Sequence, residues 1–325
     1  MEAMAITDHG SMFGCVEFFK QAKKRNIKPI IGCEIYTTPY DYRSKTSEDR
    51  LRHHLILLVK DEVGYKNLIK IVSEAYVNGF YYKPRVDRNV LKDHSEGLIC
   101  LSACLQGEVQ QYLLNNQYDE AKELAIKYNE IFGQDNFYLE LQDHGMREQK
   151  LVNRLLYKIH EETNIPLVAT NDVHYTNRED SKAHEILLAI QTGKTINDEN
   201  RMTFPSDEFF LKSPEEMEDI FKSFNGAISN TIKIANMCNF EFDFNTRHLP
   251  EFKVPKGYTN GEYLRKLVKD GLNERYEVDE RIAKRAEVEL ETIENMGFVD
   301  YFLIVWDFIR YAKNNGIAVG PGRGS

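Results

Sequence analysis

Six short apolar runs, separated by helical patterns, set the strongest limit on how this chain folds. They are AMAI at 3–6, PIIGCEIYT at 29–37, HLILLV at 54–59, GLICLS at 97–102, FYLEL at 137–141 and PLVAT at 166–170. Between most of them lie stretches whose apolar residues recur at helical spacing, such as 14–26, 62–79 and 149–163. Repeated β–α alternation predicts an α/β fold with a largely parallel sheet and covering helices, either a barrel or a doubly wound layer.

From about 180 to 240 the pattern turns helical, and Ser213 before Pro214, Glu215 and Glu216 is a good helix start. Residues 247–263 then carry prolines and glycines without periodicity, which places a domain boundary near 250. Beyond it three helices are expected, at 261–276, 279–296 and 299–315, followed by a short strand at 317–319. The aromatic-rich helix YFLIVWDFIRYA, 301–312, reads as core packing. The chain starts almost inside a strand, and the expectation is that the natural protein begins earlier than Met1.

A net charge of −9 argues against a surface that coats nucleic acid broadly. Residues 251–325 hold 12 basic and 13 acidic residues, so the deficit lies mainly in the first 250. Five cysteines with no CxxC pair do not suggest a disulfide framework. They read instead as a reducing, cytoplasmic setting. No apolar run approaches a membrane span, and the start has neither a basic nor an apolar signal region.

Ligand and catalytic groups of parallel β/α folds collect at the carboxyl ends of the strands. Asp8 and His9 follow the first run, Glu34 lies in the second, Cys104 follows another, and Asp172 and His174 follow the last. Such side chains suit Zn²⁺, or a mixed Zn/Mn/Fe cluster in which carboxylates bridge and imidazoles are terminal. Asp172 and His174, two apart in extended backbone, would point the same way. His54 breaks the positional rule, since it opens its run.

Each has a plainer reading: TDHG as a turn, Cys104 as a small buried residue, NDVHY as a polar loop. Glu34 resists one, because an unpaired carboxylate in an apolar strand is costly. His144 with Asp143 is a reserve candidate, and His184, at the opening of a helix, could lie near the site but reads rather as a surface residue. The closing AVGPGRGS, 318–325, fits neither Walker A nor GxGxxG, and reads equally as a mobile tail or as part of a phosphate site.

The stretches MEAMAITDHGSMFG, KPIIGCEIY, GLICLSACLQGEV, PLVATNDVHY and MGFVDYFLIVWDFIRYAKNNGIAVGPGRGS resemble the alpha subunits of bacterial DNA polymerase III, the C-family replicative polymerases. The resemblance runs over essentially the whole chain. It implies a PHP (polymerase and histidinol phosphatase) domain over 1–250, a distorted seven-stranded β/α barrel lacking its first strand unit. Residues 251–325 would be the mostly helical start of the polymerase palm. By motif, the metal ligands would be His9, Glu34, His54, Cys104, Asp172 and His174. Glu34 would be a bridging ligand, and Glu34 and Asp172 would also serve the hydrolytic step. One metal position would be held by Glu34, His54 and Cys104.

The family's opening His-x-His pair and nearby Asp have no counterpart here. Up to three Zn or Mn ions are therefore expected at incomplete occupancy. Gly324 and Ser325 resemble palm residues that meet the incoming nucleotide, and the Mg²⁺ ligands of the polymerase site are expected beyond residue 325. The resemblance implies DNA, deoxynucleoside triphosphates, a sliding clamp and a proofreading subunit as partners, no membrane, and 3′–5′ exonuclease potential. The rival readings are a stand-alone phosphoesterase acting on small phosphomonoesters and a non-catalytic scaffold.

Overall fold

Each of the six apolar runs becomes a strand in the computed structural model, which describes residues 1–246 and 249–322. The expected site residues Gly324 and Ser325 lie outside the described residues. The strands are β1 (Ala3–Ile6), β2 (Lys28–Thr37), β3 (His53–Val59), β4 (Phe80–Tyr81), β5 (Lys83–Val86), β6 (Leu98–Leu101), β7 (Phe137–Leu141) and β8 (Leu167–Ala169). Between and after them lie α1 (Cys15–Lys24), α2 (Glu62–Val77), α3 (Arg88–Asp93), α4 (Glu108–Leu114), α5 (Tyr118–Phe132), α6 (Arg147–Thr163), α7 (Ser181–Gln191), α8 (Pro214–Phe221) and α9 (Ser229–Met237). The chain divides into two compact units, Met1–Phe242 and a second that starts at Asp243.

The eight strands form one mixed sheet in the order β4-β5-β2-β3-β6-β7-β8, with β1 beside β2, curved as a half-barrel. Pairing is parallel for β1–β2, β2–β5, β6–β7 and β7–β8. It is antiparallel for β4–β5, β2–β3 and β3–β6, so β3 runs against both neighbours. This departs from the largely parallel sheet expected. The β2–β3 link has no α-helix, only a 3-10 turn at Glu48–Arg50. A crossover helix is the usual route to parallel neighbours.

Alternation along the strands sorts two cores. Leu55, Leu57, Leu98, Cys100, Phe137, Leu139 and Leu167 face a layer of helices that contributes Phe19, Leu68, Ile71, Tyr128 and Leu156. Ile30, Ile56, Leu58, Ile99, Leu101, Tyr138 and Val168 face inward, with Ile234 of α9. One close approach fixes α2 against the sheet. A Cβ on Gly64 would stand 1.9 Å from the Gly97 carbonyl oxygen. Glycine is needed there because helix backbone directly meets the backbone of the turn that enters β6.

The Ser213 start is a capping box: the Ser213 hydroxyl accepts from Glu216 N–H (3.2 Å), and the Glu216 carboxylate accepts from Ser213 N–H (2.7 Å). The second unit holds α10 (Asn260–Arg275), α11 (Glu280–Asn295) and α12 (Val299–Asn314) around Leu264, Leu290 and Leu303. This small core buries few aromatics. Tyr301, Phe302, Phe308 and Tyr311 are exposed, contrary to the core role expected of that helix. Residues 317–319 pair with no strand among the described residues. No described helix is long and apolar enough to cross a membrane.

Candidate metal centre

The register of β2 and β3 assembles the site. Glu34 and Tyr36 share the inner face with Ile30, and His54 shares it with Ile56 and Leu58. Because β3 is antiparallel, its first residues pair with the end of β2, His54 opposite Tyr36. His54 therefore reaches the carboxyl edge from the start of its own strand, which resolves its apparent breach of the positional rule. The loop after β1 is stitched alongside: Gly10 N–H donates to the Glu34 carbonyl (2.8 Å), and Glu34 N–H donates to that of Asp8 (3.1 Å).

His9, Glu34 and His54 converge, each offering a ligand atom within 4.8 Å of the other two. Glu34 is the hub, with Oε1 2.5 Å from His54 Nδ1 and Oε2 3.6 Å from His9 Nδ1. Cys104 joins through His54, its Sγ 3.6 Å from Nδ1. The turn that delivers Cys104 holds Ala103 at φ +67°, left-handed backbone rare for a residue with a Cβ. The Ala103 N–H donates to Glu140 Oε2 (2.9 Å), which anchors that turn.

Asp172 is not extended, as expected, but sits at φ +43°. The chain turns there and still brings the pair together: His174 Nδ1 lies 2.7 Å from the Asp172 carbonyl and 3.8 Å from Oδ1. The His174 ring is 6.3 Å from that of His9. His184 also reaches this corner, half-buried and 5.5 Å from the His174 ring, and does not have the surface role expected.

The centre gathers negative charge away from water. Burial raises the Asp172 carboxyl, with the His174 charge opposing it and that of Glu34 adding to it. Burial pushes the Cys104 thiol well up, helped by Asp172 and Glu34. Glu140 is raised to about 7 by burial, although Thr170 and Gln142 hydrogen-bond its charged form. Burial lowers His9, against the charge of Glu34. Among the described residues no Lys or Arg is ion-paired to Glu34, Glu140 or Asp172. Glu34 and Glu140 are buried, His54, Cys104, Asp172 and His174 half-buried, and His9 open to solvent. These carboxylates, imidazoles and thiol, with no described Lys or Arg paired to the carboxylates, form a donor set that fits divalent metal.

Sequence reasoning missed Glu140. The signal was present, a carboxylate inside the apolar run FYLEL, and it is the one that marked Glu34. His144 is excluded as a ligand because both ring nitrogens are engaged: Nε2 meets the Asn171 carbonyl (2.9 Å), and Nδ1 meets Gln149 Nε2 (2.7 Å). Asp143 caps its own turn, accepting from Gly145 N–H (2.8 Å).

Burial holds His144 neutral, lowering it to about 4 from an ordinary value of about 6.5. A depressed imidazole contributes its stability above pH 6.5 and loses it as pH falls toward 4, since the unfolded chain then binds the extra proton. Between pH 7.5 and 5 this amounts to about 2 kcal/mol. Urea midpoints across that range should fall less steeply for His144→Gln by that amount. Parallel curves for the two proteins would show that His144 is not held neutral.

A curved, mixed β/α sheet with His, Glu, Cys and Asp at one edge describes a PHP domain, and the PHP domain family profile matches residues 1–144. A second profile, "Bacterial DNA polymerase III alpha NTPase domain", matches residues 262–325. DNA polymerase III subunit alpha of Treponema pallidum is 49% identical over all of this chain and 28% of its own length. That of Borreliella burgdorferi is 46% identical over all of this chain and 29% of its own, and that of Aquifex aeolicus 43% over all of this chain and 30% of its own. The chain belongs to the DNA polymerase III alpha-subunit family, and spans less than a third of the length of these relatives. A solved phosphoesterase from Bifidobacterium adolescentis shares 13% identity at a TM-score of 0.33, over 53% of this chain and 77% of its own. That likeness is too slight to argue from.

Proposed function

We propose that residues 1–250 are a PHP domain that hydrolyses phosphodiesters at a metal centre, with 3′–5′ exonuclease action on DNA. It belongs to a replicative polymerase alpha subunit whose palm begins in residues 251–325. The observation that carries this reading is the convergence of His9, Glu34 and His54, with Cys104, Asp172 and His174 beside them. These six residues would hold Zn²⁺ or Mn²⁺. Such ions neutralise phosphoryl oxygens and lower the pKa of water.

The chain's own part is positional. Glu34 orients two imidazoles at once, one on each oxygen. Asp172 is the second carboxylate assigned to the hydrolytic step, held by its left-handed turn. The whole polymerase would act on DNA and deoxynucleoside triphosphates in the cytoplasm, alongside a sliding clamp and a proofreading subunit. The proposed contact of Gly324 and Ser325 with the incoming triphosphate belongs to that polymerase site. A stand-alone phosphomonoesterase would have no use for residues 262–325, which match a polymerase profile.

The test is release of mononucleotides from a 3′-labelled single strand after EDTA dialysis and readdition of Mn²⁺ or Zn²⁺. Wild type should release label only with metal, and Asp172→Ala about 100-fold more slowly. Equal rates, or no metal-dependent release by wild type, would reject the hydrolytic reading.

A further inference from the structure

β4 and β5 form a hairpin with a one-residue tip: Phe80 pairs with Pro84 and Tyr81 with Lys83, leaving Tyr82 alone between them. Tyr82 is held at φ +60°, a conformation uncommon for a bulky side chain, and is 59% exposed. The Arg50 guanidinium lies over its ring at 4.8 Å and donates to its hydroxyl (2.9 Å). From this tip β5 runs beside β2. Lys83 Nζ stands 5.6 Å from the Tyr36 ring, which is stacked 6.2 Å from His9 and edge-on to His54 at 5.3 Å. Arg52, two residues before His54, places its charge near the Tyr36 phenol.

The charges on this ledge are uncompensated. Among the described residues Arg50, Arg52 and Lys83 form no ion pair, whereas Lys66, Arg88, Lys122 and Arg178 each have a carboxylate partner. In a chain of net charge −9, three unpaired cations leading to a metal centre that opens to solvent at His9 form a local anion path. The aromatics say which anion. Tyr82, and Phe13 (90% exposed) in the loop that carries His9, present π-faces on which unpaired bases stack. A duplex hides its base faces, so these rings select a single strand.

We propose that Arg50, Arg52, Lys83 and Tyr82 form a single-stranded DNA subsite that leads the strand's end past Tyr36 to the metal centre. What happens at that end rests on the hydrolytic reading above, but binding does not. The test is therefore made without metal. Fluorescence anisotropy with a labelled oligothymidylate of about 12 nucleotides, in EDTA, reads strand binding by the 325-residue chain.

Tyr82→Ala should bind roughly 10-fold more weakly, and Tyr82→Phe as wild type. The double variant Arg52→Ala/Lys83→Ala should lower the slope of log affinity against log salt by about 1.4, that is ~0.7 per phosphate contact. Lys66→Ala, whose partner is Glu62, should change nothing. Inorganic polyphosphate should lose affinity in the double variant but not in Tyr82→Ala, which separates stacking from charge. Circular dichroism of each variant checks that it is folded. Wild-type affinity in both Tyr82→Ala and the double variant, or equal binding of duplex and single strand, would overturn the subsite. Variant-sensitive binding without metal-dependent hydrolysis would keep the subsite and reject the hydrolytic reading.

Discussion

Replacing Arg85 with methionine is expected to destabilise the first unit by at least about 4 kcal/mol, a large share of the ~5–15 kcal/mol that holds a domain folded. Arg85 is fully buried, yet it serves backbone rather than a carboxylate. Its Nε donates to the Gly79 carbonyl (3.3 Å), Nη1 to that of Asp49, and Nη2 to those of Tyr42 (3.2 Å) and Ser44 (2.8 Å). A buried ion pair can be exchanged for apolar residues by removing both partners. The carbonyl oxygens of Tyr42, Ser44 and Asp49 cannot be removed, so each is left without this donor and costs about 1–3 kcal/mol, whereas that of Gly79 keeps the Arg85 N–H (3.3 Å).

Arg85→Lys should recover little, because an ammonium has three donors on one atom and cannot span four carbonyls as a planar fork does. Far-UV circular dichroism in urea is the right readout, since the one tryptophan, Trp306, lies in the second unit. An Arg85→Met midpoint equivalent to within 1 kcal/mol of wild type would contradict this account. The carbonyls of Tyr42, Ser44 and Asp49 belong to the loop that delivers His53 and His54 to β3, so this guanidinium also braces the metal centre.

Arg85 was invisible in the sequence, and the reason is general. A run such as HLILLV announces a strand by itself, because its apolar side chains have to be buried on both faces. KPRV at 83–86 does not: it is short, contains a proline, and becomes a strand because Tyr36 and Thr37 pair with Arg85 and Val86 and the β4 residues Phe80 and Tyr81 pair with Pro84 and Lys83. The direction of β3 was partly legible. A β2–β3 link without a helical pattern disfavours a parallel crossover, and reading it would have put His54 on the correct edge. The ligand types were legible too, since Glu34 is a carboxylate with no place in an apolar strand. That His9 would be zipped to β2 by two backbone hydrogen bonds, or that Asp172 would turn left-handed, depends on contacts between distant segments that no local pattern encodes.

Glu34→Gln should separate metal binding from folding more sharply than any other change at the centre. Glutamine keeps the shape and one acceptor oxygen, and removes a charge that Glu140 and Asp172 both feel. The metal-free variant is therefore expected to unfold within about 0.5 kcal/mol of wild type, or above it. With metal the order reverses. At a hundred times its dissociation constant, a ligand that binds only the native state stabilises by about 2.7 kcal/mol. Loss of even a supporting contact at a metal site costs 10–100-fold in affinity, so loss of the carboxylate hub should cost about 100-fold or more. At the same metal concentration the stabilisation then falls to about 0.4 kcal/mol. For a unit of this size the wild type should gain about 5–10 °C on adding Zn²⁺ or Mn²⁺, and the variant about 1 °C. Equal metal-induced shifts in the two proteins would remove Glu34 from the metal centre, whatever the hydrolysis assay gave.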